Sequence, residues 1–259
     1  MKINEFGTDN QKKIVLIPGT MMCWKQFSDV IPILENDYHV IAVSTDGFDG
    51  DKNTVFTTAR DSAHNLAVYI KEKNISEIEL VFGESFGSAT AAVLFNEQEI
   101  RVNSLIMNGP QYFDFGILNG ALKSYIPRSQ YRFIGKMDRV KNGGRIPYLM
   151  KLFTRTDDEK MISMLSKVPD NIQPKTLENC MSEAGKLYKD MEKFHIRPDA
   201  KVAVWRGSKE PNMKKAIATI KKIYPNMEDH PFAEMGHGEI IGYPDRMAKE
   251  ICRFIEERR

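Results

Sequence analysis

Six residues carry the first chemical signal: Gly83-Glu84-Ser85-Phe86-Gly87-Ser88, directly after the stretch IELVF. A serine with glycine two places before it and two places after it suits a strand-to-helix turn too tight for side chains at the flanking positions. Such a turn exposes the Ser85 hydroxyl above a sheet edge. It also aims the N–H of Phe86 at the same spot, where the positive end of the following helix favours a developing anion.

A serine hydroxyl is a weak nucleophile without a base. Among five histidines, His237 stands apart, because Met-Gly-His-Gly-Glu places it in a glycine-flanked loop after a strand candidate and before the last helix. His39, His64, His195 and His230 fall on or beside strand and helix patterns and are assigned to packing or solvent. An imidazole base needs a carboxylate that fixes its tautomer and stabilises its charged form. Glu210, in Arg-Gly-Ser-Lys-Glu-Pro, follows the strand candidate at 201–205 and is the expected partner; Asp114 is the alternative. A second oxyanion donor is expected from the loop Pro18-Gly19-Thr20-Met21, through the N–H of Thr20 or of Met21.

These residues are far apart in the chain, so a scaffold must gather them. Short β-rich runs at 14–17, 39–43, 79–82, 104–107 and 201–205, with a weaker one at 229–233, alternate with helical patterns at 24–34, 61–73, 86–96, 212–223 and 245–257. Several of the runs are almost wholly apolar, as strands covered on both faces are. The alternation predicts an α/β fold with a mostly parallel central sheet flanked by helices. Residues 115–195 interrupt it with helical patterns alone, so the expected division is a core of 1–114 and 196–259 with an all-helical cap (lid) at 115–195.

Composition narrows the function classes. The chain has 259 residues, 42% of them hydrophobic, and a net charge of +2, so nothing global argues for nucleic acid. No apolar run approaches the roughly 18 residues of a membrane span, and the polar start does not look like a secretion signal. Cys23, Cys180 and Cys252 are too few and too scattered for a disulfide framework or a zinc site, which fits a reducing cytosol. Charge is nevertheless uneven: positions 121–155 hold nine Lys or Arg against the single acid Asp138. A solvated helical face is the plain interpretation, and attraction of anionic substrates the sharper one.

The stretches IVLIPGT, GESFGS, WRGSKEP and GHGEIIGYP together resemble the α/β-hydrolase superfamily over nearly the whole chain. The order Ser85, Glu210, His237 is that family's order of nucleophile, acid and histidine. The resemblance implies an insertion where the family carries its cap, and an acid that is commonly aspartate but here is glutamate, one methylene longer. Serine at the elbow argues against the alkyl-enzyme chemistry of family members that carry aspartate there.

The expected activity is that of a serine hydrolase cleaving a carboxylic ester, or thioester, through an acyl-enzyme on Ser85. His237 serves as base, Glu210 as its orienting acid, and Phe86, Thr20 and Met21 line the oxyanion hole. Met22, Trp24, Met150, Phe153, Met161 and Met164 are expected to line the substrate pocket. A small-molecule acyl substrate, no cofactor, no metal and a cytoplasmic location complete the expectation. Two alternatives stay open: an acyltransferase or lipase-like enzyme for anionic acyl carriers or lipids, and a ligand-binding homologue without turnover.

Overall fold

The computed structural model describes residues 1–96, 100–110, 139–140, 145–191, 194, 198–211 and 213–257. Asp114, His195, and Lys123, Arg128, Arg132, Lys136 and Lys141 of the basic run lie outside the described residues.

Among the described residues, seven strands form one sheet: β1 (Lys2–Phe6), β2 (Lys13–Ile17), β3 (His39–Ser44), β5 (Leu80–Glu84), β7 (Ser104–Asn108), β8 (Lys201–Gly207) and β9 (Glu228–Phe232). Their order is β1-β3-β2-β5-β7-β8-β9. Every neighbouring pair is parallel except β1 with β3. Two short strands, β4 (Glu77–Ile78) and β6 (Arg101–Val102), pair separately.

Alternation along the strands divides the core. Val15, Ile17, Val81, Leu105, Val202 and Val204 face one layer, and Ile14, Leu16, Leu80, Phe82, Ile106 and Trp205 face the other. Side chains two apart share a face of a pleated strand, so both sets must be apolar when helices cover both faces. The first layer is built on α2 (Ala59–Glu72), α3 (Gly87–Asn96) and α7 (Met213–Ile223). α2 begins at Thr58, whose hydroxyl accepts from the Asp61 N–H, and presents Ala59, Ala63, Leu66, Ala67 and Ile70 to the sheet. The second layer holds the single turn α1 (Ile31–Leu34) and α8 (Pro244–Glu256), whose Met247, Ala248, Ile251 and Phe254 are buried.

Two expectations change. The helix expected over 24–34 is a 3-10 turn at Trp24–Phe27 followed by α1. Pro32 sits in the first turn of α1, and its ring and missing N–H bar a helix running through from Trp24. The polar start holds β1, an antiparallel edge strand joined to β3 through Lys2↔Ser44 to Phe6↔Val40. Its partly exposed residues lack the apolar run that marks the central strands.

Between β7 and β8 the described residues contain α4 (Tyr148–Thr154), α5 (Asp158–Ser166) and α6 (Pro174–Met191), and no strand. Met161 and Leu165 of α5 pack with Leu177 and Cys180 of α6, and with Met21, Met22, Phe48 and Phe56 from the loops above the sheet.

Candidate active site

The carboxyl ends of β5, β7, β8 and β9 lie side by side, and each leads into a loop carrying a site residue. This is where sites on parallel sheets gather.

Ser85 follows β5 at φ 49, in the left-handed region. Its N–H donates to the Asn108 carbonyl at the end of β7, 2.7 Å away. A Cβ on Gly83 would stand 2.6 Å from Ser88 Cα, and one on Gly87 would stand 2.7 Å from the Ile17 carbonyl oxygen. Any side chain at either place would force the turn open, so contact requires glycine at both flanking positions of G-x-S-x-G.

His237 lies in the loop after β9. Its Nδ1 is 2.6 Å from Glu210 Oε1, and its Nε2 is 3.0 Å from Ser85 Oγ. A carboxylate can only accept, so Nδ1 carries the proton and Nε2 is left to accept from the serine hydroxyl. Glu210 is buried and is reached through the turn that closes β8, where its N–H donates to the Gly207 carbonyl at 3.1 Å. The chain after β7 leaves room for the pair only because residue 109 is glycine. A Cβ there would stand 2.7 Å from His237 Nδ1 and 3.1 Å from Glu210 Oε1.

The loop after β2 closes the remaining side. Gly19 packs on the elbow, and a Cβ on it would lie 3.3 Å from Ser85 Cβ. The loop is pinned by the Gly19 N–H donating to buried Gln26 Oε1 at 3.0 Å, and by the Met22 N–H donating to the Gly19 carbonyl at 3.1 Å. Met21 takes φ 66 within that turn. Thr20 is exposed, while Phe86 is half-buried beside Ser85. Among the described residues, no acceptor engages the backbone N–H of Thr20, Met21 or Phe86. These donors can therefore serve an oxygen brought in by a ligand.

Of the expected pocket residues, Met22 and Met161 belong to one buried cluster with Met21, and Met150 and Met164 pack against that cluster, as Phe86 does. Trp24 is placed elsewhere. Its ring stands 5.4 Å from Phe6 and borders an open cleft of about 420 Å³ shared with Lys2, Asn4 and Lys167. The shift follows from the 3-10 turn, which directs Trp24 toward β1. Phe153 lies on α4, but its side chain is outside the described residues.

Sequence reasoning assigns Glu84 no role, yet it is a second carboxylate beside His237. It is 2% exposed, accepts from Asn108 Nδ2, and holds Oε1 3.9 Å from His237 Nε2. Burial pushes its carboxyl up to about 7, against the opposing pull of His237 and of the Asn108 hydrogen bond. Burial alone would lower the His237 imidazole. The Glu210 carboxylate, through charge and hydrogen bond, and the Glu84 carboxylate beyond it outweigh burial and raise it above its ordinary value. The signal was available: a glutamate ending a strand of otherwise apolar and glycine residues, next to a candidate nucleophile.

The family described as the alpha/beta hydrolase fold matches residues 12–239. Among solved structures, an alpha/beta hydrolase family protein from Desulfitobacterium hafniense is 19% identical with a TM-score of 0.83, over 98% of this chain and 100% of that one. A thermophilic esterase from Thermogutta terrifontis is 14% identical with a TM-score of 0.71, over 98% of this chain and 92% of that one. The epoxide hydrolase CorEH is 16% identical with a TM-score of 0.68, over 97% of this chain and 93% of that one. At these identities the likeness is one of fold. No curated protein matches the chain in sequence.

Proposed function

Since this chain belongs to the alpha/beta hydrolase fold family, we propose that it is a serine hydrolase that cleaves carboxylic esters or thioesters through an acyl-enzyme on Ser85. The observation that carries the proposal is the unbroken line Ser85 Oγ to His237 Nε2, and His237 Nδ1 to Glu210 Oε1, at 3.0 and 2.6 Å.

The steps follow from the tautomer. The Ser85 oxygen bonds to the acyl carbon as its proton passes to His237 Nε2, and the substrate carbonyl becomes an oxyanion. The N–H groups of Phe86 and of Thr20 or Met21 take that charge. Losing one such donor costs roughly 10²–10³ in rate in comparable sites. The imidazolium gives its proton to the leaving oxygen or sulfur, and the leaving group departs. Water then attacks the acyl-enzyme with His237 again as base, releasing the acid and restoring Ser85. Throughout, Glu210 holds the ring and offsets its charge.

The methionines support an apolar acyl site. Met21, Met22 and Met161 belong to one buried cluster against which Met150, Met164 and Phe86 pack, and flexible thioethers fit irregular apolar groups. In this proposal the helices between β7 and β8 act as the cap over that site. The test is direct. Wild-type protein is expected to hydrolyse nitrophenyl esters and to be labelled by a fluorophosphonate probe; folded protein inert toward both would overturn the proposal.

A pH profile tests the two-carboxylate environment. His237 must be neutral to act as base, and Glu210 and Glu84 together favour its charged form. kcat/KM should therefore rise with pH, with a midpoint above the ordinary imidazole value of 6.5. Glu84→Gln removes one of the two charges, so its midpoint should fall toward neutrality. An unmoved midpoint would mean that Glu84 does not act on the base.

A further inference from the structure

We propose that the turn between α4 and α5 is a clasp on the base loop, and that Thr156 is a positioning residue for His237. The proposal rests on the serine-hydrolase reading of the site and adds to it the element that fixes the base.

Both backbone polar groups of His237 are engaged by this turn. The His237 N–H donates to the Thr154 carbonyl at 2.7 Å, and the Thr156 hydroxyl donates to the His237 carbonyl at 2.7 Å. One carboxylate oxygen then ties the two segments together. Glu239 Oε2 accepts from the Gly236 N–H at 2.8 Å and from the Asp157 N–H at 3.3 Å. The contact is close enough that a Cβ on Gly236 would run into the backbone of Arg155 and Thr156. Arg155 itself takes the left-handed conformation at φ 50, which turns the chain back from α4 toward α5. Further along, Lys160 Nζ donates to the Gly242 carbonyl at 2.9 Å and lies 4.4 Å over the Tyr243 ring.

The sheet layer holds the far end of this loop through buried Ile240 and Ile241, whereas the backbone of His237 itself is bonded to the clasp. β9 ends at Phe232, and among the described residues the last backbone hydrogen bonds that tie the loop to the strand ends are Met235 N–H to the Phe232 carbonyl and Lys209 N–H to the Met235 carbonyl. From residue 236 to 242 the chain is held by its own 3-10 turn, by Ile240 and Ile241 buried in the layer against the sheet, by Glu239 and by the clasp. The Glu210 hydrogen bond sets the rotation of the imidazole ring, but the clasp sets where the ring's backbone stands. Two hydrogen bonds to one residue's N–H and C=O define both its position and its tilt. The proposal therefore expects α4 and α5 to stay docked at this edge while His237 serves Ser85.

Thr156→Val keeps the shape of the side chain and removes the hydroxyl; Thr156→Ser keeps the hydroxyl. Thr156→Val is expected to lower kcat by about 10- to 100-fold with KM nearly unchanged, the scale of a base displaced by about 1 Å. Labelling of Ser85 by a fluorophosphonate should slow in parallel, and Thr156→Ser should restore both. A melting curve for each variant separates lost positioning from lost fold. If Thr156→Val does not fold, Thr156→Ala is read by the same criteria. Wild-type kcat in folded Thr156→Val, or Thr156→Ser as slow as Thr156→Val, would sink the clasp alone. An inert wild type would sink the hydrolase proposal and the clasp with it.

Discussion

Ser85→Ala is expected to lower kcat for ester hydrolysis by about 10⁴–10⁶-fold while leaving cooperative unfolding in place. The hydroxyl is the nucleophile paired with the base, and among the described residues its side-chain partner is His237 Nε2. Its removal takes away the nucleophile and nothing that builds the turn. The elbow is set by contacts at Gly83 and Gly87, by the Ser85 N–H to the Asn108 carbonyl, and by the Ser88 hydroxyl to the Gly83 carbonyl at 2.8 Å. An alanine at φ 49 carries much the same backbone cost as the serine it replaces. Initial-rate assays on purified variant and wild type, with a melting curve for each, read both halves of the prediction. Activity within tenfold of wild type would move the nucleophile elsewhere.

Glu210→Gln is expected to cost about 10²–10⁴-fold in kcat, less than Ser85→Ala, because the acid orients and stabilises but forms no bond to substrate. The isosteric amide fits the same buried place. Its NH₂ can donate to Nδ1, which then favours the tautomer that puts the proton on Nε2 and leaves nothing there to accept from Ser85. The raised imidazole also loses its main source of charge stabilisation, so the acid limb of the pH profile should move down. Because the three residues act as one unit, the double variant Ser85→Ala/Glu210→Gln should be no slower than Ser85→Ala. Asp114→Asn is the control and should retain activity. The reverse pattern, with Glu210→Gln active and Asp114→Asn inactive, would reassign the acid.

Much of this site could be inferred from local sequence, and the reasons are physical. Strands buried on both faces are largely apolar, so the runs at 14–17 and 104–107 announce themselves. β1 does not, because an edge strand with partly exposed faces tolerates Lys2, Asn4 and Glu5. Ser85 and His237 were legible because tight loops at a site demand glycine beside them. Glu84 was overlooked because the motif leaves its position open; only the fold reveals that its side chain turns toward His237. Trp24 was misplaced because Pro32 restarts the helix and the preceding 3-10 turn re-aims the indole toward Phe6. The clasp was invisible for another reason. Thr156 meets His237 across 81 positions, and no pattern within either stretch specifies the meeting.

The central claim is that an acyl group passes through Ser85. Protein mixed with a nitrophenyl ester, quenched in acid during turnover and mapped by peptide mass, should carry the acyl mass on the peptide containing Ser85, and Glu210→Gln should change the amount but not the place. Turnover of the same ester with no adduct at Ser85, or with a stable adduct on another residue, would contradict the account.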